Sequence, residues 1–237
     1  MSRGLGDVYK RQIEKNRIKI EAGDIQGVNH GLASLLQLIM TAKDAQLPVL
    51  TIQDKPAFGY RGLMLDCARH FWTVDELKET LDHMAFFKLN TLHMHLTDNQ
   101  AWRLSMDKYP DLVKEGTYYY DFPELSGKYY SKEDLKEIVT YAGTRGIEII
   151  PEVDLPGHSI ALLAALPELS CRGGKFEATP EERDWNKRKR GNENMICIGN
   201  PQSFAFAEDV IDALIEIFPS QYIHFGGDEV PTDIWEE

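Results

Sequence analysis

Apolar and polar positions in the first part of the chain form a helix pattern between two short strand patterns. Residues 13–20 alternate imperfectly between isoleucine and charged residues, which predicts a strand. Residues 27–40 carry apolar side chains at helical spacing, and residues 49–52 predict a further strand. Because these elements contain no complete core of their own, we interpret residues 13–57 as the C-terminal part of a small α+β domain.

After Pro56 the pattern becomes regular, with apolar runs that predict strands and capped amphipathic segments that predict helices. The third unit is lengthened by a polar loop that ends near Gly199. Repeating βα units with apolar strands are typical of parallel α/β folds. The predicted strands are 60–68, 91–96, 147–153 and the run that leads to Asp228; the predicted helices are 73–87, 131–146, a short one ending at Leu166, and 201–217.

The chemically distinctive residues all follow predicted strands. They are Arg69-His70, His95 to Asp98, Asp154 to His158 and Asp228-Glu229. Function at the carboxyl end of every strand is typical of a (β/α)8 barrel, whereas a doubly wound sheet concentrates function at one switch point. The sequence also contains no glycine-rich phosphate loop. We therefore predict that residues 58–237 are the N-terminal half of a (β/α)8 TIM barrel, and we expect this half alone to be inactive.

Composition narrows the range of partners. The 237 residues are 43% hydrophobic and 27% charged, which is typical of a globular protein. A formal net charge of −12 argues against nucleic acid or an anionic membrane as a partner. No run of about 18 apolar residues is present, so no transmembrane helix is predicted. Cys171 and Cys197 flank the polar loop, and either a disulfide or two free thiols fits the sequence.

The first twelve residues resemble a translated sequencing adapter. We interpret residues 1–12 as a non-native scar and set them aside from the fold prediction. On this interpretation the native N-terminus is missing, and with it any signal peptide. The compartment stays open, with the periplasm or the cell exterior favoured over the cytoplasm.

Asp228 and Glu229 are the strongest catalytic candidates. They follow an apolar run, and two adjacent carboxylates at the tip of a buried strand lose hydration and repel each other. Gly226 and Gly227 let the backbone bend so that both acids reach one ligand. One acid can then donate a proton while the other stays charged. The alternative is a solvated turn with two ordinary acids.

Three other positions each allow two interpretations. His93 and His95 share one strand face, so they either bind zinc or a similar ion, with help from other histidines and Asp228, or are core histidines hydrogen-bonded to backbone. We favour the second interpretation and predict no metal. Arg69 can bind sugar hydroxyls or form an ion pair with Asp66 or Asp98. His158 can bridge two carboxylates or face solvent at a helix start.

Four motifs in order resemble family-20 glycoside hydrolases, the β-N-acetylhexosaminidases. The resemblance extends over residues 13–237 and implies a bacterial chitobiase-like glycosidase. Its motifs are Arg61 to Asp66 with Arg69 to Phe71, His95 to Asp98 with Trp102-Arg103, Pro151 to His158, and His224 to Val230.

The resemblance implies a retaining, substrate-assisted reaction on terminal β-linked N-acetylhexosamine of glycans or chitooligosaccharides, with no cofactor. It implies that Glu229 is the general acid and that Asp228 orients the substrate's 2-acetamido group. It further implies that Arg69 binds sugar hydroxyls, and that Asp98 and His158 form a hydrogen-bonded chain with Glu229.

Two departures from the family pattern are visible: Asn99 stands where an acid is common, and Ala101 where glycine is common. Two rival functions stay open at this point. One is a metal-dependent barrel hydrolase that uses His93 and His95. The other is a non-catalytic carbohydrate-binding protein that has kept the pocket.

Overall fold

The structure is a computed structural model that describes residues 9–119, 122–178, 195–230, 232 and 235. After the first 60 residues its strands are separated by helices, as the hydrophobic pattern predicts. The strands are β1 (Tyr9–Glu14), β2 (Arg17–Ala22), β3 (Leu50–Asp54), β4 (Gly62–Asp66), β5 (Thr91–His95) and β6 (Glu148–Glu152). The helices are α1 (Ile25–Thr41), α2 (Val74–Phe86), α3 (Asp111–Lys114), α4 (Lys132–Thr144), α5 (Ile160–Ala165) and α6 (Pro201–Ile217).

The single strand predicted over residues 13–20 is wrong, because that region holds the turn of a hairpin. β1 and β2 pair antiparallel with Ile13 opposite Ile18, and β3 pairs with the other side of β1. The polar pair Lys15-Asn16 forms the turn, where asparagine tolerates tight backbone geometry. Charged residues on both sides hide this turn from a pattern search.

Part of the segment set aside as adapter-like belongs to this sheet. From Tyr9 to Gln12 the backbone pairs with both β2 and β3, so setting it aside from the fold was wrong. Residues 1–8 lie outside the described part of the chain. The non-native origin of residues 1–12 stays a prediction, as do the domain boundaries at residues 13–57 and 58–237.

The chain divides into two compact units. In the first, α1 packs on the hairpin and on α2, and the Asp24 side chain caps α1 by accepting the Gly27 N–H at 2.8 Å. The second contains α3, α5, α6 and the first part of α4, together with all the candidate site residues. The first unit comprises residues 1–63, 74–92 and 140–148; the second comprises residues 64–73, 93–139 and 149–237.

A parallel sheet with strand order β4-β5-β6 carries the predicted βα units. β5 is the central strand, and Leu92 and Met94 on it are fully buried. Two of the predicted helix starts are capped as expected. Ser131 and Asp134 hold each other's backbone N–H groups before α4, and Asn200 accepts the Gln202 N–H at 3.0 Å before α6. The α/β class with part of a barrel is therefore confirmed.

The fourth predicted strand is wrong in extent. The chain beside β6 forms only an isolated parallel bridge between Glu152 and His224. The backbone hydrogen bonds run from the His224 N–H to the Pro151 carbonyl at 3.0 Å, from the Val153 N–H to the His224 carbonyl at 3.1 Å, and from the Leu155 N–H to the Phe225 carbonyl at 3.2 Å. Tyr222, expected in a buried strand, is 55% exposed. Among the described residues this stretch has a backbone partner on one side only. Gly226 and Gly227 then turn the chain with φ of 57° and 87°, which ends the pairing.

A disulfide joins Cys171 to Cys197, with the two Cα atoms 4.7 Å apart. The bridged alternative is thus confirmed over two free thiols. Cys67 is a buried free thiol, and burial raises its pKa to about 12. In the part of the chain that the structure describes, no helix is both long and apolar enough to cross a membrane.

Candidate active site

Asp98 is the centre of the candidate site. It follows β5, and only 2% of the residue is exposed. Three cationic or imidazole groups surround its carboxylate: Arg69 Nη2 at 2.9 Å, His95 Nε2 at 2.9 Å and His158 Nδ1 at 3.1 Å. Burial alone opposes ionisation of Asp98, but the hydrogen bonds from the two histidines and the charge of Arg69 hold its pKa below the ordinary value. Asp98 is therefore a buried anion at neutral pH.

Arg69 follows β4 and connects two carboxylates. Its Nη1 lies 2.9 Å from Asp66 Oδ2, while Nη2 reaches Asp98. Asp66 also accepts the backbone N–H groups of Ala68 and Arg69, which fixes the loop that carries the arginine. The ion-pair interpretation of Arg69 is thus correct with both proposed partners. Because the Arg69 side chain is still 38% exposed, it can also contact a ligand.

His158 connects Asp98 to the acidic pair. It follows β6 after a cis Leu155-Pro156 bond and Gly157, and it has a positive φ of 49°. Its Nδ1 contacts Asp98, and its Nε2 lies 3.6 Å from Glu229 Oε2, slightly beyond a normal hydrogen bond. The hydrogen bond to Asp98 raises the pKa of His158. The ring is buried, so the solvent-facing alternative for His158 is wrong.

Asp228 and Glu229 stand on a tight turn next to His158. The carboxylate of Asp154 accepts the Gly227 N–H at 2.8 Å and so holds the turn in place. Gly157 lets the Asp228 carbonyl approach, since a Cβ there would lie 2.9 Å from that oxygen. Both acids are exposed, with 76% of the Glu229 side chain accessible, so the expectation of a buried pair is wrong for the described residues. Their carboxylates are instead open to a ligand.

Glu152 is the hub of a second polar cluster that the sequence did not predict. Its Oε2 lies 2.6 Å from His93 Nε2, a short contact not directed along the ring N–H, and its Oε1 lies 3.2 Å from His95 Nδ1. His224 Nδ1 is 3.4 Å from the same Oε1. Burial opposes ionisation of Glu152, yet the histidine contacts keep its pKa below the ordinary value. His93 and His95 are therefore held by a carboxylate, and the backbone partners expected for them are wrong.

Two groups contain ligand-type atoms close enough to bind a metal ion, with all atoms in each group within 4.8 Å of one another. In each group other protein atoms already contact ligand-type atoms, although His93 Nε2 makes no hydrogen bond within the described part of the chain. The first comprises His93, Glu152 and His224, whose Nδ1 accepts the Gly226 N–H at 2.9 Å. The second comprises Asp98, Asp154 and His158, where Arg69 neutralises Asp98. A cation would have to displace these partners, and we assign neither group as a metal centre.

Several supporting residues were missed by the sequence analysis. Arg103 is 3% exposed and donates to the carbonyls of Cys67 and Ala68 at 3.1 and 2.9 Å, which holds the Arg69 loop. Asp154 was placed among the residues after a strand but given no role. An acid inside an apolar run, such as Glu152 before Val153, is costly to bury and was a usable signal for Glu152. Arg103 belongs to the Trp102-Arg103 part of the family motif, but the sequence analysis gave it no role.

Comparisons with the sequences of known proteins point to one family. Residues 58–237 match the model of the glycosyl hydrolase family 20 catalytic domain. A beta-hexosaminidase of Akkermansia muciniphila is 39% identical over 98% of this chain and 47% of its own length. A beta-hexosaminidase of Porphyromonas gingivalis is 38% identical over 96% of this chain and 30% of its own length.

A solved structure gives the same result in three dimensions. The crystal structure of the beta-N-acetylhexosaminidase from Bacteroides fragilis superposes with a TM-score of 0.85 at 33% identity, over 98% of this chain and 44% of that one. The chain thus spans 30% to 47% of the length of these curated relatives. Both the sequence motifs and the superposition lead to the same conclusion: the chain belongs to glycosyl hydrolase family 20.

Proposed function

We propose that the protein hydrolyses terminal β-linked N-acetylhexosamine residues of glycans or chitooligosaccharides, with retention of configuration and with the substrate's own acetamido group as nucleophile. The observation that carries this proposal is the placement of Asp228 and Glu229. The two acids stand side by side on a glycine turn clamped by Asp154, next to the Asp98–His158 pair. The names of the relatives, beta-hexosaminidases, support the same substrate class.

Glu229 is the general acid in this proposal. Its carboxyl is exposed and lies 3.6 Å from His158 Nε2, so it can reach a glycosidic oxygen while it stays next to a buried, hydrogen-bonded imidazole. After the aglycone leaves, the same carboxylate accepts a proton from the attacking water. No nucleophile from the protein is required, because the acetamido oxygen attacks the anomeric carbon.

Asp228 orients that acetamido group. Its carboxylate accepts the acetamido N–H, which directs the carbonyl oxygen to the anomeric carbon and stabilises the positive charge of the cyclised intermediate. Arg69, anchored between Asp66 and Asp98, contributes donors for sugar hydroxyls. The disulfide between Cys171 and Cys197 supports an oxidising compartment such as the periplasm or the cell exterior.

The two rival functions have weaker support. A metal-dependent hydrolase needs open ligands, and His93 and His95 instead contact Glu152. A binding protein without catalysis needs the shape of the pocket but has no use for Glu229 beside His158. We therefore favour the glycosidase.

The test of the proposed function uses the full-length protein and an aryl N-acetyl-β-glucosaminide. We expect hydrolysis that is insensitive to chelators, and weak or no hydrolysis of the aryl β-glucoside that lacks the acetamido group. Asp228→Asn should weaken inhibition by a thiazoline mimic of the cyclised intermediate. Equal turnover of both aryl glycosides, or unchanged thiazoline inhibition in the variant, would refute the substrate-assisted role.

A further inference from the structure

Asn99 is a buried amide in direct contact with His158. It follows Asp98, and 6% of the residue is exposed. Its side-chain nitrogen lies 3.3 Å from His158 Nδ1, and its side-chain oxygen accepts the Ile160 N–H at 3.2 Å, where α5 begins. A backbone N–H can only donate, so the amide oxygen must face Ile160 and the NH2 group must face the imidazole. The protein thus fixes the orientation of this amide.

His158 Nδ1 therefore lies between two neighbours of opposite character. Asp98 Oδ1, at 3.1 Å, accepts hydrogen bonds and favours a proton on Nδ1. The Asn99 NH2 group donates hydrogen bonds and favours a bare Nδ1. When Nδ1 carries a proton, the amide N–H groups face another N–H. In either state, Asn99 opposes the proton that Asp98 attracts.

The other groups that face His158 carry full charges. Asp98 and Asp154 favour the protonated ring, Arg69 opposes it, and Glu229 lies at the far nitrogen, Nε2. Arg69 acts on the ring through Asp98, which it contacts directly. Asn99 is thus an uncharged group that opposes protonation at Nδ1 itself.

We propose that Asn99 is a positioning residue that limits how tightly His158 and Glu229, whose Nε2 and Oε2 atoms lie 3.6 Å apart, together hold one proton. The inference rests on the proposed function, in which Glu229 must release a proton to the departing sugar or aglycone. A pair that held the proton too tightly would donate it slowly. Asn99 therefore sets the upper end of the pH range in which the acid works, without touching substrate.

The test compares two substitutions of Asn99 in the full-length enzyme. Asn99→Ala removes the NH2 group, and Asn99→Asp also adds a negative charge while keeping an acceptor for Ile160. Both changes should make the pair hold its proton to higher pH. The alkaline limb of kcat/KM should move up by roughly half a unit to one unit in Asn99→Ala, and further in Asn99→Asp. KM should change little.

Asn90→Asp is the matched control. Asn90 also accepts a backbone N–H, from Arg61 at 2.9 Å, and donates to a carbonyl, that of Gly59 at 2.7 Å, away from the site. The same amide-to-acid change at Asn90 should leave the alkaline limb of kcat/KM at its wild-type pH. Melting curves of all variants identify any that fail to fold. If Asn99→Asp fails to fold, Asn99→Ala alone carries the test.

Titration of the His158 ring by NMR, assigned through its loss in His158→Phe, separates this inference from the proposed function. The pKa of His158 should increase in the order wild type, Asn99→Ala, Asn99→Asp, with no substrate present. If the protein lacks hexosaminidase activity but this order holds, the proposed function fails and the inference about Asn99 stands. If the enzyme is active and neither the ring titration nor the alkaline limb moves upward in the variants, Asn99 is only structural and the inference is wrong.

Discussion

Gly226 lies directly against the carboxylate of Asp154. A Cβ at position 226 would overlap Asp154 Oδ1 and Cγ, and the backbone there has a φ of 57°. The same carboxylate accepts the N–H of Gly227 at 2.8 Å. The turn that presents Asp228 and Glu229 is thus shaped by one buried acid on the neighbouring chain segment.

This relationship predicts different effects for two neighbouring glycines. Gly226→Ala must displace either Asp154 or the turn, and we expect kcat to fall at least about tenfold because misplaced catalytic groups are costly. Gly227→Ala meets no atom within 4 Å and has only a left-handed backbone to maintain, which costs about 1 to 2 kcal/mol of stability. Steady-state kinetics and melting curves of both variants check this. Equal kcat in the two variants would argue against the role of Asp154 in holding the turn.

Replacing Glu229, the proposed general acid, should affect substrates unequally. Glu229→Gln cannot donate a proton, so substrates with poor leaving groups should lose about 100-fold to 10,000-fold in kcat. Activated aryl glycosides need less protonation and should lose less. Kinetics on a chitooligosaccharide and on an aryl glycoside measure the difference, with Glu208→Gln on α6 as a control. Near-equal losses would count against Glu229 as the acid.

The histidine hydrogen bonds and the Arg69 ion pair of Asp98 predict a pH-dependent contribution to stability. Because its pKa is lower in the folded protein than in the unfolded chain, its contribution is present above pH of about 4 and is lost as the pH falls towards the folded value. Asp98→Asn leaves Arg69 and two histidines without their anion, which should cost about 3 to 5 kcal/mol at neutral pH.

Denaturant unfolding at several pH values measures this contribution. The difference in free energy of unfolding between the wild type and Asp98→Asn should be largest near pH 7 and should become smaller below about pH 4. A gap that stays constant from pH 7 to pH 3 would show that ionisation of Asp98 does not stabilise the fold.

The disulfide should stabilise the second unit. Cys171 and Cys197 are 26 residues apart, and closing a loop of that length contributes roughly 3 kcal/mol in the chain-entropy model. The double variant Cys171→Ser, Cys197→Ser should therefore unfold at lower denaturant. A reductant should lower the stability of the wild type only. Two alkylated thiols in peptides of the oxidised protein would reject the bridge.

The residues whose place at a strand end could be predicted are those whose signal in the sequence is local. Arg69, Asp98 and His158 each come where an apolar run ends, so their position at a strand end could be read without knowing the neighbouring strands. Their mutual contacts then follow from parallel strands ending at one edge. The identities of the adjacent acids, Asp228 and Glu229, were also visible locally.

The features that the sequence missed depend on long-range register. Glu152 contacts His93, His95 and His224 only because β5, β6 and the segment after α6 align in one particular way. No pattern within a single segment carries that information. The exposure of the acidic pair was missed for the same reason, since burial at a strand tip depends on which neighbours cover it.

The central claim is that the substrate's acetamido oxygen is the nucleophile, held by Asp228. The most direct measurement is kcat/KM of the full-length enzyme on aryl glycosides whose acetamido group carries zero, one, two or three fluorine atoms. Fluorine withdraws electrons and weakens the carbonyl oxygen as a nucleophile. The account predicts a steep fall in kcat/KM with each added fluorine. A series of equal rates would contradict it and would require a nucleophile from the protein or from water.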